Sequence, residues 1–260
     1  MSKILLLGCG NMGGALLKAW AAKTDHIFTV ADPAQLDLPG NVSRVGSVEE
    51  LGEDMFDYLI IALKPQIIDE VLPAYLPRLS PSGVLSSIAA GYSAERLAAH
   101  APGRSVIRIM PNLPAVIGKG VNGLYAHGSV SDKESREIEQ LALCSGETVW
   151  VESEDMLDRL TAVAGSGPGY VFEMLRAYVE AAENLGFSEK DARNLVLGTV
   201  RGTVELALES NQSLEELRKS VTSKGGTTAA GLNALNGGEE FSALIRDTLG
   251  AAYKRAVELR

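Results

Sequence analysis

Over residues 3–151, short apolar runs alternate with segments that have the periodicity of an amphipathic helix. The runs lie at residues 4–7, 27–30, 58–62, 84–88 and 106–110. Consecutive apolar residues are typical of strands that are buried on both faces, and helices between such strands form βαβ units. The pattern therefore predicts an α/β half built on a doubly wound parallel sheet.

The pattern changes after the fifth run. Ser131 stands three residues before Glu134, which is the spacing of a capping box and predicts the start of a helix. Residues 148–151 then predict a last strand at the edge of the sheet. We therefore expect one domain at residues 1–152 and a second domain at residues 153–260.

Beyond that boundary strand patterns stop and helical segments follow. Pro168 suits the first turn of a helix that ends at Gly186, where glycine readily adopts a left-handed conformation. Further helices are predicted at Ser188 with Asp191, at Ser213 with Glu216, and over residues 239–258. These helices carry more apolar surface than a small bundle leaves exposed. We therefore expect an all-α C-terminal dimerisation domain that forms a dimer or a higher oligomer of dimers.

The composition disfavours several classes of function. Lys and Arg number 24 against 33 Asp and Glu, and the formal charge of −9 disfavours binding to nucleic acids and anionic lipid surfaces. A membrane-spanning helix needs about 18 consecutive apolar residues, and no apolar stretch approaches this length. Cys9 and Cys144 are too few for a disulfide framework and lie in no metal-binding spacing. We therefore expect a cytoplasmic protein without a metal, a nucleic-acid partner or a membrane partner.

A glycine-rich loop follows the first predicted strand directly after Leu7. Its residues are Gly8, Cys9, Gly10, Asn11, Met12 and Gly13. In such a G-x-G-x-x-G turn the first glycine permits the tight turn, the second admits a pyrophosphate, and the third allows the helix to pack closely on the strand. At the first strand of a βαβ series, the motif predicts a Rossmann-type domain that binds a dinucleotide through Leu7 and the loop.

Asp32 follows the second predicted strand, about 20 residues beyond the glycines. A carboxylate at this place can hydrogen-bond both ribose hydroxyls of the cofactor, and it would repel a 2′-phosphate. The position therefore favours NADH over NADPH. The alternative is that Asp32 only caps the turn before Pro33.

Two more loops leave the carboxyl ends of predicted strands at the same edge of the sheet. One loop comprises Ala62, Leu63, Lys64 and Pro65, and the other comprises Ala89, Ala90 and Gly91. Ligands of open α/β sheets lie in the crevice outside these ends, so we expect both loops to contact the cofactor. Lys64 has a second interpretation, because a lone loop lysine is commonly only a solvated charge.

Residues 221–230 interrupt the helical half with glycines and hydroxyl side chains. The segment contains Ser223, Gly225, Gly226, Thr227 and Thr228. Adjacent glycines let backbone N–H groups converge at the start of a helix, which favours an anion such as a carboxylate. An ordinary helix–helix loop with threonine caps would have the same composition.

Five blocks of the sequence together resemble the pyrroline-5-carboxylate reductase family. They are the glycine loop and residues 62–65, 108–115, 164–170 and 221–228, which occur in the family's order. The last block resembles the family's signature, and the resemblance extends over essentially the whole chain.

The resemblance implies a Rossmann domain followed by a helical dimerisation domain. It implies NADPH- or NADH-dependent reduction of the C=N bond of 1-pyrroline-5-carboxylate to L-proline. By the match, the substrate would be held at Ser223, Gly225, Gly226, Thr227 and Thr228. The backbone amides of residues 225–228 would bind the substrate carboxylate, and the hydroxyl of Thr228, the catalytic residue, would hydrogen-bond the ring nitrogen. Ser220 and Val221 would face the cofactor near the nicotinamide.

Three residues depart from the family's pattern. Lys224 stands where the family usually has proline, Leu113 where it has threonine, and Gly169 where it has alanine. The exact substrate and activity are therefore not determined by the resemblance. The chain could reduce another small cyclic imine, oxidise a 3-hydroxy acid with Lys190 or Lys224 as base, or act as a non-enzymatic sensor of the nicotinamide pool.

Overall fold

The computed structural model describes residues 1–260 and divides them into two compact units. The first unit contains Met1–Pro168 together with Ala252–Arg260, and the second contains Gly169–Ala251. The expected boundary after residue 152 therefore differs from the division into compact units.

The difference has a physical cause in the helix that follows the expected boundary. This helix, Glu154–Leu160, packs on the sheet, and a β-carbon at Gly123 would lie 3.0 Å from the Leu157 side chain. Leu157 is completely buried. The helix therefore belongs to the core of the first unit.

The first unit contains one sheet of eight strands. The strands are β1 (Lys3–Leu7), β2 (Ile27–Ala31), β3 (Val42–Val45), β4 (Phe56–Ile61), β5 (Leu79–Ser87), β6 (Val106–Met110), β7 (Gly120–His127) and β8 (Gly146–Trp150). Their order across the sheet is β3-β2-β1-β4-β5-β6-β7-β8. The first six strands have the order of a dinucleotide-binding Rossmann sheet, which confirms the predicted fold class.

Helices cover both faces of this sheet. They are α1 (Asn11–Lys23), α2 (Pro65–Tyr75), α3 (Ala94–His100), α4 (Asp132–Leu143) and α5 (Glu154–Leu160). Alternate residues of β1 enter different cores, because Ile4 packs in one core with Trp20 of α1 and Leu5 packs in the other with Leu72 of α2. Burial on both faces explains why the strands are continuous apolar runs.

The predicted helix after Ser131 is present as α4, and both hydrogen bonds of its capping box with Glu134 are formed. β8 lies at the edge of the sheet, as predicted, but it begins at Gly146.

Two strands, β3 and β7, were not predicted. β7 runs antiparallel to β6, so the predicted parallel sheet contains one antiparallel pair. β7 has no apolar run because Asn122 and Gly123 occupy its middle. Asn122 is completely buried and donates to the carbonyl oxygens of Ala142 and Glu147 at 3.0 and 3.1 Å. A polar residue satisfied by distant partners has no periodic signature in the sequence.

The second unit is all-helical, as predicted. Between residues 167 and 259 the helices are α6 (Gly167–Asn184), α7 (Glu189–Glu209), α8 (Leu214–Ser220), α9 (Thr227–Asn236) and α10 (Glu240–Leu259). Gly186 ends the first of them with φ +100°, and the hydroxyls of Ser188 and Ser213 cap the next two. No helix of the chain is both long enough and apolar enough to span a membrane.

The core of the second unit is small. Its buried residues are Ala182, Ala192 and Val196. Large apolar side chains stay outside, including Phe172 at 58% and Leu208 at 77% exposure. This surface is the one expected of a unit that associates with another subunit.

Candidate functional site

The glycine loop between β1 and α1 is packed too tightly for any other residue at two of its positions. Gly8 has φ +83°, and a β-carbon there would lie 2.8 Å from Leu63 Cδ2. A β-carbon at Gly13 would lie 2.9 Å from Ala62 Cβ. Ala62 and Leu63 follow β4, so the structure brings two of the predicted cofactor loops into direct contact.

Gly10 differs from its two neighbours in the motif. A β-carbon there would have no protein atom within 4 Å, so only open space lies in front of this residue. Gly10 is also the N-cap of α1, and no side chain caps that helix. The first backbone N–H groups of α1 thus remain available to an anion, and the helix dipole favours negative charge there. These features fit the pyrophosphate of a dinucleotide.

Asp32, directly after β2, stabilises the glycine loop through a hydrogen bond. Its Oδ2 accepts a hydrogen bond from the Cys9 backbone N–H at 2.8 Å, and its Oδ1 accepts one from the Ala34 N–H at 2.9 Å. The second bond is the turn cap considered as the alternative role for this residue. Capping the turn and facing the cofactor ribose are therefore compatible, because each carboxylate oxygen has more than one lone pair.

Cys9 has no sign of an activated thiol. Burial, and then the Asp32 charge, raise the pKa of the Cys9 thiol above its ordinary value. The residue therefore remains a neutral thiol at physiological pH, and its place in the loop is one of packing.

Arg44 on β3 was not singled out by the sequence reasoning. Its Nε donates to the Ala34 carbonyl at 2.8 Å and its Nη2 donates to the Pro33 carbonyl at 2.9 Å. One edge of the guanidinium is thus held against the turn that follows Asp32. The only sequence signal was a cation in a short segment before Gly46, which periodicity alone does not mark as functional.

The loops after β4 and β5 lie at the carboxyl edge of the sheet, as predicted. Lys64 is exposed and is the N-cap of α2, with Pro65 in the first turn. Ala90 is exposed, whereas Gly91 has φ +71° and a β-carbon there would lie 3.0 Å from the Leu259 carbonyl oxygen. Packing within the first unit therefore already requires glycine at position 91.

The predicted substrate loop begins α9 in the second unit. Gly225 has φ +71°, and Gly226 is the N-cap of α9 without any side-chain cap. A β-carbon at Gly226 would overlap the Ser223 hydroxyl oxygen. The loop with threonine caps is therefore not the arrangement found, and the N-terminus of α9 is open in the same way as that of α1. Thr227 and Thr228 are exposed in its first turn.

The two residues expected near the nicotinamide precede this loop. Val221 is 63% exposed, and the Ser220 hydroxyl donates to the Leu217 carbonyl oxygen at 2.8 Å, at the end of α8. Both lie in the second unit, whereas the glycine loop, Asp32 and the loops after β4 and β5 lie in the first.

A buried ion pair beside the loop after β5 was not predicted from the sequence. Arg108 of β6 is 1% exposed, and its Nη1 pairs with the Glu154 carboxylate. Its Nη2 donates to the Ala89 carbonyl oxygen at 2.7 Å. The sequence did hold a signal, because Arg108 is the one charged residue in the apolar run 106–110.

Comparison with known proteins bears on the whole chain. A family model described as pyrroline-5-carboxylate reductase dimerisation matches residues 154–259, and one described as NADP oxidoreductase, coenzyme F420-dependent, matches residues 3–91. A pyrroline-5-carboxylate reductase of Pseudomonas aeruginosa is 34% identical, covering 99% of this chain and 96% of that protein. The chain belongs to the pyrroline-5-carboxylate reductase family.

Solved pyrroline-5-carboxylate reductase structures have the same fold. The enzyme from Coxiella burnetii superposes with a TM-score of 0.89 at 30% identity, covering 99% of this chain and 98% of that one. The Plasmodium falciparum enzyme, which was solved with NADP bound, superposes with a TM-score of 0.87 at 27% identity and the same coverage.

The departures from the pyrroline-5-carboxylate reductase pattern lie at accessible positions. Leu113 is 51% exposed and Lys224 is exposed. A β-carbon at Gly169 would have no atom within 4 Å, so the alanine usual in the family would fit there.

Proposed function

We infer that the chain is a pyrroline-5-carboxylate reductase, an oxidoreductase that uses NADH or NADPH to reduce 1-pyrroline-5-carboxylate to L-proline, the last step of proline biosynthesis. The observation that carries the inference is the pair of uncapped helix N-termini, each preceded by glycines that fit an anion. One suits a pyrophosphate and the other a carboxylate, which are the anionic groups of the two reactants.

The cofactor-binding residues are proposed to lie at the carboxyl edge of the first unit's sheet. They are Leu7, Gly8, Gly10, Asn11, Met12, Gly13, Asp32, Ala62, Leu63, Lys64, Pro65, Ala90 and Gly91, with Ser220 and Val221 of the second unit. The bound nicotinamide supplies a hydride to the carbon of the imine. The chain itself has to bind, orient and exclude water around the reacting atoms.

Substrate binding is proposed for the first turn of α9. The backbone N–H groups of residues 225–228 bind the carboxylate, and Ser223 lines the same loop. The Thr228 hydroxyl hydrogen-bonds the ring nitrogen, which already carries its proton in the iminium form and becomes the amine when the carbon receives the hydride. An iminium carbon is already electrophilic, so correct placement supplies much of the acceleration through effective molarity. No general base is required.

The preference between the two cofactors is proposed to follow from opposing charges. Asp32 favours the two free ribose hydroxyls of NADH and repels a 2′-phosphate. Arg44 is held beside the same turn with its Nη1 edge free of protein hydrogen bonds, and a guanidinium edge suits a phosphate. We propose that NADH is preferred and that Arg44 allows NADPH to bind as well.

Assembly and location complete the proposal. The exposed apolar helices of the second unit form a dimer, or a higher oligomer of dimers, in support of which the family model of this region is described as a dimerisation model. Cys9 and Cys144 are both free thiols, as expected of an enzyme of the reducing cytoplasm.

The deciding experiment measures turnover of 1-pyrroline-5-carboxylate by the purified protein, followed as loss of reduced-cofactor absorbance. We expect turnover with both cofactors and no oxidation of 3-hydroxy acids. A faster reaction with another cyclic imine would show that this other imine is the preferred substrate. Cofactor binding without any turnover would favour a nicotinamide sensor instead.

A further inference from the structure

The loop that follows β5 is held in place from three sides within the first unit. The Ala89 N–H donates to Ser87 Oγ at 3.1 Å, and the Ala89 carbonyl accepts from Arg108 Nη2 at 2.7 Å. Gly91 packs against Leu259, where a β-carbon would lie 3.0 Å from the Leu259 carbonyl oxygen. Both backbone groups of one loop residue are thus fixed by side chains that project from the sheet.

The side chain that binds the Ala89 carbonyl is itself fixed. Arg108 pairs across the sheet with Ser87 in the β5–β6 register, and its Nη1 is in an ion pair with Glu154. The other oxygen of Glu154 accepts from the Ala94 N–H at 2.9 Å. The Arg108 side chain is 2% exposed and the Glu154 side chain is 15% exposed. The polar contacts that link Glu154 through Arg108 to the Ala89 carbonyl are therefore shielded from water.

The strand order shows which half of a dinucleotide this loop would meet. Asp32 follows β2, where the adenosine ribose is bound in such sheets, and the glycine loop after β1 binds the pyrophosphate. β4 and β5 lie on the opposite side of β1 from β2. The remaining half of the molecule, which carries the nicotinamide, therefore extends over the loop after β5.

A buried ion pair is a poor way to gain stability alone, because desolvation of the two charges offsets much of their attraction. Apolar residues of similar volume are often as stabilising in such places. What apolar residues cannot do is donate a hydrogen bond to the Ala89 carbonyl. The charged pair therefore fixes the geometry of the loop.

We propose that Arg108, oriented by Glu154, is a positioning residue that sets the shape of the loop at residues 89–91 for the nicotinamide half of the cofactor. The inference rests on the proposed cofactor site. It assigns Arg108 no contact with substrate or with the reacting atoms.

The test compares two ligands, NADH and ADP-ribose, which share the adenosine and the pyrophosphate but differ in the nicotinamide. Binding to the purified full-length protein is measured by calorimetry. Arg108→Lys keeps a charge for Glu154 but cannot reach both partners as a planar guanidinium does. We expect the Kd of NADH to rise about tenfold while the Kd of ADP-ribose stays within about twofold.

Two further variants control for folding. Ser87→Ala removes only the hydrogen bond to the Ala89 N–H, and we expect the same selective loss of NADH binding, smaller in size. Arg176→Lys alters an exposed ion pair on α6 and should leave both ligands unchanged. If Arg108→Lys fails to fold, Ser87→Ala decides the question.

The positioning role would be overturned if the folded variants bound NADH and ADP-ribose equally more weakly, or bound both as tightly as the wild type. Either result would leave the proposed cofactor site intact. A wild-type protein that binds neither ligand would instead overturn the proposed cofactor site, and this inference with it.

Discussion

The N-termini of α1 and α9 make an instructive comparison. Each begins at a glycine N-cap with no side-chain cap, Gly10 in one case and Gly226 in the other. The surroundings differ. Around Gly10, the positions of Gly8 and Gly13 are packed against the residues after β4, and only the space in front of Gly10 is free. Around Gly226, the three atoms nearest to an added β-carbon all belong to Ser223 of the same loop.

The difference separates recognition of charge from recognition of shape. Both helix starts offer backbone N–H groups to an anion. The α1 site is also bounded by protein, since Gly8 and Gly13 pack against the residues after β4 and only Gly10 faces open space. The first turn of α9, proposed to bind the substrate carboxylate, exposes Thr227 and Thr228 to solvent, so the loop by itself does not enclose a five-membered ring. Ring selection must therefore depend on residues outside this loop.

Gly10→Val is the variant with the largest expected effect on the comparison. A side chain there would fill the free space at the start of α1, and no protein atom lies within 4 Å of the position of its β-carbon. We expect the Kd of NADH to rise at least about 100-fold with little change in thermal unfolding. Calorimetric titration checks the first point, and the melting curve checks the second. Normal NADH binding would show that the pyrophosphate lies elsewhere.

Thr228→Val addresses the α9 side. The change keeps the shape of the exposed side chain and removes its hydroxyl. We expect catalytic efficiency with pyrroline-5-carboxylate to fall about 10- to 100-fold, or ~1.4 to 2.7 kcal/mol of transition-state stabilisation. NADH affinity should be unaffected, because Thr228 is not part of the proposed cofactor site. Full retention of efficiency would leave the backbone as the sole anchor of the substrate.

Asp32→Ser tests the role of the Asp32 carboxylate, which hydrogen-bonds the glycine loop before α1. Loss of the carboxylate removes the repulsion of a 2′-phosphate, and a hydroxyl can still cap the turn. We expect the ratio of kcat/KM for NADPH over NADH to rise about tenfold. Arg44→Gln is the matched variant and should lower that ratio. If the wild type already prefers NADPH, the role given to Asp32 is wrong.

Gly169→Ala has the smallest expected effect, because it replaces a glycine that the packing does not require. This glycine lies in α6 with open space at its β-carbon, unlike Gly8, Gly13 or Gly226. Alanine should stabilise the helix by at most about 1 kcal/mol, as measured by chemical denaturation, with activity unchanged. A destabilised or inactive variant would show that this glycine serves a contact absent from the single chain.

Features encoded by neighbouring residues could be predicted from the sequence. The buried strands were visible as apolar runs, and the helix starts at Ser131, Ser188 and Ser213 were visible from residues three positions away. The conformation of the glycine loop belongs to this class too, because its three glycines act within one turn of chain.

Features that depend on distant partners could not be predicted in the same way. Arg108 was visible as a charge in an apolar run, but its partner Glu154 is 46 residues away. The direction of β7 follows from pairing with β6, and no residue of β7 encodes it locally. The need for glycine at position 91 arises from Leu259, at the other end of the chain. Such contacts are set by the tertiary structure, and single-sequence periodicity has no access to them.

The composition of the first unit from two separate stretches of chain has a consequence for biosynthesis. Residues 252–260 leave the ribosome only after all of residues 169–251. Until then, Gly91 lacks its neighbour Leu259, and Asp155 lacks the hydroxyl of Tyr253. The nascent sheet and its glycine loop can form early, since their contacts lie within the first 168 residues. The loop after β5 reaches its final packing only when translation has passed through the entire helical unit.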